Sequence, residues 1–183
     1  ELARGGRPAP TPADGRETDI RVITRAVYRA DGGGYIDTNH PNHLWVIAAP
    51  RSPEEKPQPM QLTSGAYNEG GFVWSRDASQ IYFTTNRTLE PYYDEKPVTE
   101  IYSVPLAGGT PALLTKIEMG VGGLVLSPDG SKFAFTASAS QKPVLSYTQP
   151  DLWVMDVAAN AQPRNLTTAF DYDIGGGVGG DNA

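Results

Sequence analysis

The chain has 183 residues, 39% hydrophobic and 20% charged, with a net charge of −6 and a pI near 4.9. That balance supports a buried core and argues against wholesale disorder, and with no run of Lys or Arg the electrostatic footprint of a nucleic-acid binder is missing. Zero cysteines exclude disulfides, thiolate zinc sites and a cysteine nucleophile, and no apolar run approaches the roughly 18–20 residues that cross a bilayer.

In chain order, residues 1–19 are polar, Pro/Gly-rich and aperiodic, and read as a linker or a loosely ordered end. Ile20 to Tyr28 alternates as a strand, with a Gly-rich turn at 30–34 after it. His43 to Ile47 and Gln58 to Thr63 follow as strands, separated by an exposed Pro-rich loop at 50–59. Phe72-Val73-Trp74 is the next strand and Ser75-Arg76-Asp77-Ala78 its turn. Ile81 to Thr84, Glu100 to Val104 and Pro111 to Thr115 complete a set of four.

This grammar repeats. Thr63, Thr115 and Thr167, each preceded by Leu, stand at equal steps of 52, as do Asp77 and Asp129 in the turn. Ile81-Tyr82-Phe83 is matched by Phe133-Ala134-Phe135 at the same step. In the later copy the turn is Ser127-Pro128-Asp129-Gly130. Ala78 therefore sits where Gly130 suits a left-handed backbone, at an expected cost on the order of 1 kcal/mol. Four antiparallel strands in about 50 residues is the pattern of a propeller blade. The expected fold is all-β, a partial β-propeller of about three four-stranded antiparallel blades, approximately 20–74, 75–126 and 127–183. Three blades leave two blade faces uncovered, so both ends of the chain are expected to be cut from a larger ring. Trp45, Trp74 and Trp153 recur in strands and are expected to fill the core between blades.

Val22 to Arg29, Gly34-Tyr35-Ile36-Asp37 and His43-Leu44-Trp45-Val46 resemble the propeller of prolyl oligopeptidase family serine peptidases, nearest to bacterial acylaminoacyl and dipeptidyl peptidase-like members. Leu62 to Tyr67, Ser127 to Phe135 and Asp171 to Gly177 fit the same pattern, so the resemblance covers about residues 20–183. The Ser-Pro-Asp-Gly turns are also shared with TolB-type propellers. The resemblance implies a seven- or eight-bladed propeller capping an α/β-hydrolase domain that holds a Ser-Asp-His triad. Its implied partners are a peptide substrate and that C-terminal α/β-hydrolase domain, with no nucleic acid and no membrane. The bacterial cytoplasm and periplasm are both compatible with it.

No Gly-x-Ser-x-Gly elbow occurs in the chain, and its two histidines, His40 and His43, share one loop. No catalytic residue is therefore expected here. Two histidines flanking Pro41, with no cysteine, predict no metal site, and no cofactor is expected. Gly175 to Gly180 satisfies G-x-G-x-x-G literally but has no helix pattern after it, so a loop is the better reading. The candidate site residues are Glu90, Tyr92, Tyr93, Asp94 and Glu95, in the long loop between the second and third strands of a blade, with Arg87 just before them. The resemblance implies that such acids hold the free amino terminus of a peptide, with the tyrosines as subsite walls and Arg87 on a carboxylate or a carbonyl. The alternative is a non-enzymatic TolB-like propeller that binds a protein partner.

Overall fold

The computed structural model describes residues 22–23, 28–30, 34–37, 39–88, 98–139, 149–170 and 174. The linker at 1–19, most of the first strand, the loop bearing Glu90 to Glu95 and the glycine run at 175–180 lie outside the described residues. Among the described residues there are strands and turns and no helix. The strands are β1 (Arg29–Ala30), β2 (Gly34–Tyr35), β3 (Trp45–Val46), β4 (Met60–Gln61), β5 (Glu69–Trp74), β6 (Gln80–Thr85), β7 (Thr99–Pro105), β8 (Ala112–Leu126), β9 (Lys132–Ala139), β10 (Asp151–Asp156) and β11 (Arg164–Asn165). β1 pairs with β2 and β3 with β4. β5 to β11 form one meander in which every neighbour is antiparallel and every strand follows its predecessor in the chain.

That meander is two four-stranded units sharing a strand. The first half of β8 pairs with β7, at Tyr102↔Leu113 and Ile101↔Thr115. Its second half pairs with β9, at Val121↔Ala137 and Leu126↔Phe133. The sequence reading ended the fourth strand of this unit at Thr115 and began the next blade at about 127. The chain instead runs unbroken between the two units, changing direction at Glu118 (φ 56) and at Gly123 (φ 60), where the register with β9 also shifts.

Alternation then assigns the faces. Ile81, Phe83 and Val104 lie on one face of the β5–β8 unit, fully or nearly fully buried, and pack on Leu44 and Leu62 beside β3 and β4. Tyr82 and Ile101 lie on the other face and meet Phe133, Phe135, Ala137 and Met155 of the following unit. Tyr82 and Phe133 meet edge to face, with ring centroids 5.0 Å apart. The units are therefore stacked face to face, and the seams between them are the core.

The repeated Leu-Thr pair closes each unit. Leu62 N donates to Leu44 O at 2.8 Å while Thr63 Oγ1 accepts Leu44 N at 2.9 Å. Leu166 N donates to Leu152 O at 2.8 Å while Thr167 Oγ1 accepts Leu152 N at 3.0 Å. Thr115 differs, donating through Oγ1 to Ala161 O of the next unit. The tryptophan expectation needs correcting. Trp153 packs into a seam and donates through Nε1 to Ala137 O, but Trp45 and Trp74 are 55% and 44% exposed, Trp74 standing on the edge strand β5 and Trp45 in the two-stranded β3–β4 sheet.

Both Ser-x-Asp turns have the same bonding. Asp77 accepts from Ser75 Oγ and from Ser79 N and Oγ; Asp129 accepts likewise from Ser127 and Ser131. Those hydrogen bonds, the serine hydroxyl at the turn's start foremost, hold both carboxyls down to about 2. Because the folded values lie below the unfolded 3.8, their stabilisation is complete above about pH 4 and is lost as pH falls through 2. In urea titrations, Asp77→Asn with Asp129→Asn should flatten the pH dependence in that window; an unchanged slope would assign it to other groups.

Ala78 does adopt the left-handed conformation, at φ 55, where Gly130 has φ 76. Ala78→Gly should therefore raise stability by about 1 kcal/mol in urea unfolding. Gly130→Ala should lower it by more, since the added methyl would also stand 2.9 Å from Arg76 Cβ. A loss on Ala78→Gly would show that the strain is relieved in some other way.

Candidate functional site

The residues that depart from the repeat gather at one end of the β5–β8 unit. Glu69 opens β5, Thr85 stands opposite it at the end of β6, and Glu100 stands opposite Thr85 on β7. Backbone and side-chain bonds tie this end to the residues before β3. Glu69 N donates to Asn42 O at 2.9 Å, Asn42 N to Asn68 Oδ1 at 2.7 Å, and Thr85 Oγ1 to Asn68 O at 2.9 Å.

Arg87 lies two residues past β6. Its guanidinium carbon is 4.6 Å from the Tyr67 ring centroid and 4.8 Å from that of Tyr102, so the cation faces two aromatic rings. Nη2 is 3.4 Å from Glu69 Oε1, a loose ion pair between a Glu69 side chain only 1% exposed and an Arg87 side chain 23% exposed. Glu69 Oε2 is buried without a hydrogen-bond partner among the described residues, as is His43 Nδ1. A buried carboxylate with one oxygen unsatisfied is costly and calls for an explanation. Nearby on β7, burial pushes the Glu100 carboxyl up despite the bond that its Oε2 accepts from Ile117 N at 2.6 Å, and the charge of Glu118 acts in the same direction.

The fold does not require this arrangement. Fifty-two positions on from Tyr67, Glu69 and Arg87 the chain has Met119, Val121 and Ala139, all apolar. Chemically, a buried carboxylate with one oxygen unpaired among the described residues suits a cation, and a partly open guanidinium between two rings suits a carbonyl or a carboxylate.

Of the sequence candidates, Arg87 is placed here. Glu90, Tyr92, Tyr93, Asp94 and Glu95 lie outside the described residues, in the segment that starts just after Thr88. Glu69, Tyr67 and Tyr102 were not singled out by sequence; the signal that was available is the break in the repeat. His40 is bonded through Nδ1 to Asp37 Oδ2 at 2.6 Å, and that bond is the main cause of Asp37's lowered pKa. Among the described residues no three His, Asp or Glu side chains gather as a metal site.

Stacked four-stranded antiparallel units repeating at 52 residues make this chain a partial β-propeller. No family model matches it, and no curated protein matches it. Among solved structures it is similar to a TolB-like protein from Agrobacterium tumefaciens, at 21% identity and a TM-score of 0.46 over 60% of this chain and 36% of that one. It is also similar to TolB from Acinetobacter baumannii, at 24% identity and a TM-score of 0.43 over 61% of this chain and 24% of that one. The chain thus spans about a third and about a quarter of those two proteins.

Proposed function

We propose that this chain is the propeller section of a prolyl oligopeptidase family serine peptidase, where it caps and gates an α/β-hydrolase domain and receives the amino-terminal end of a peptide. The observation that carries the reading is the Glu69–Arg87 pair, a buried carboxylate with an unpaired oxygen beside a ring-stacked guanidinium. On binding, Arg87 would swing out to the peptide's first carbonyl, and the terminal ammonium would take its place beside the Glu69 carboxylate, which is buried in the unliganded fold. Glu90, Tyr92, Tyr93, Asp94 and Glu95 follow Arg87 closely in the sequence and would supply further carboxylates and rings. Hydrolysis itself would belong to the hydrolase domain.

The test uses the intact gene product with dipeptidyl and acyl-peptide chromogenic substrates. The reading expects cleavage blocked by a serine-directed inhibitor. It also expects Glu69→Gln to raise KM for substrates with a free amino terminus by about ten-fold, the scale of one charge-assisted hydrogen bond, with kcat kept and N-acylated substrates unaffected. Peptide binding without any cleavage would favour the protein-binding propeller instead. Equal effects of Glu69→Gln on free and acylated substrates would remove the pair from recognition.

A further inference from the structure

The end of the β5–β8 unit differs from its copy in what fills it. Fifty-two positions after Tyr67 and Glu69 stand Met119 and Val121, and Trp153 is the counterpart of Tyr102. In the later unit those three residues belong to one apolar cluster. In the earlier unit the same place holds a cation. The Arg87 guanidinium carbon stands 4.6 Å from the Tyr67 ring centroid and 4.8 Å from that of Tyr102. Its Nη2 is 3.4 Å from Glu69 Oε1, and that long contact is the only hydrogen bond the guanidinium makes among the described residues. Arg87 is the member of the pair that reaches solvent, with its side chain 23% exposed against 1% for Glu69.

An arginine held by one loose bond and two ring faces is a removable occupant. The place it fills is a cage with two aromatic walls and a carboxylate behind them. Tyr102 is the fixed wall, because its ring also packs on Phe83, with centroids 6.0 Å apart. Tyr67, half-buried, precedes β5 in the chain.

The distances describe what fits. Carbon atoms in contact lie about 3.5–4.0 Å apart, so a flat guanidinium laid on a ring comes closer than Arg87 does. A methyl carbon touching a ring, joined to nitrogen by a bond of about 1.5 Å, puts that nitrogen about 4.5–5.5 Å from the ring. The cage therefore has room for an alkylated ammonium. Donor numbers agree. A primary ammonium brings three N–H donors, of which the carboxylate takes two, and the third is left against a ring. A dimethylated ammonium brings one donor for Glu69 and two methyl groups for the rings, where a cation is attracted by the ring faces.

We propose that Tyr67, Tyr102 and Glu69 form a cation cage selective for alkylated ammonium groups, with Arg87 as its internal stand-in until a ligand displaces it. The ligand is a peptide whose amino terminus carries N-alkyl groups. The cage rests on the peptide reading of the Glu69–Arg87 pair and narrows the substrate class of that site.

Three uncleavable forms of one peptide, with free, N,N-dimethylated and N-acetylated amino termini, would be titrated calorimetrically into the intact gene product. The dimethylated form should bind about five-fold more tightly than the free one, the scale of one cation–π contact, and the acetylated form most weakly. Tyr67→Phe keeps a ring face and should keep that ranking, whereas Tyr67→Leu should bring the dimethylated form level with the free one. Tetramethylammonium alone should raise the thermal midpoint of Arg87→Met, which lacks the resident cation, more than sodium does at equal concentration. Tighter binding of the free form than of the dimethylated one would overturn the cage and leave the peptide reading standing. A preference that survives Tyr67→Leu would also overturn it, because the selectivity would lie elsewhere. Equal binding of all three forms would remove both readings. Tetramethylammonium binding with no peptide binding would keep the cage but overturn its peptide ligand, in favour of a small free cation.

Discussion

Phe133→Ala should cost about 3–5 kcal/mol, the largest loss expected from a single side chain in this protein. Phe133 is fully buried in the middle of the seam between the two complete units, edge-on to Tyr82 and opposite Met155 across the β9–β10 ladder. Truncation removes a phenyl ring from water-free contact on two sides. The stacked sheets cannot close the gap without moving a whole unit, so the transfer loss and the cavity add. Leu166→Ala, at the position of the last unit equivalent to Leu114, should cost under about 1 kcal/mol in the 183-residue chain, since the side chain is 43% exposed. Urea unfolding of both variants against the parent measures the contrast. Similar losses at the two positions would mean that the seam is not where the stability lies.

How far the fold was legible follows from the same residues. The Leu-Thr pairs, the Ser-x-Asp turns and the alternating Ile81-Tyr82-Phe83 run are local patterns with local causes, and each has its place in the blades. Ala78 could be identified as left-handed because its turn repeats at Gly130. The continuous β8 was not legible, because Gly120, Gly122 and Gly123 interrupt the apolar pattern and read as loop. The exposure of Trp45 was not legible either. Periodicity assigns a side chain to a face but cannot say whether another unit stacks on it. The site was half visible. Arg87 drew notice as a charge beside an acidic loop, whereas Glu69 reads as any surface acid until folding places its carboxylate in the seam, 1% exposed.

The Glu69–Arg87 pair should separate a structural ion pair from a binding one. Arg87→Met keeps the length and apolar stem but strips the charge. It leaves a buried carboxylate with neither oxygen paired and two tyrosine rings without their cation, and should cost about 3 kcal/mol or more. Glu69→Leu with Arg87→Met removes both charges, and should recover most of that loss, because an apolar pair of similar volume has no desolvation to offset. Urea unfolding of the two single variants and the double variant gives the coupling directly. If the double variant is as stable as the parent, folding gives no reason for the pair, and its presence at a position where the repeat has Val121 and Ala139 points to recognition. If the double variant remains as unstable as Arg87→Met, the network of Asn42, Asn68 and Thr85 depends on the carboxylate, and the pair is a structural tie between units. The two outcomes also differ in what the proposed peptide reading expects. In the first case the double variant should stay folded and show no preference for a free amino terminus; in the second, binding and stability should fall together.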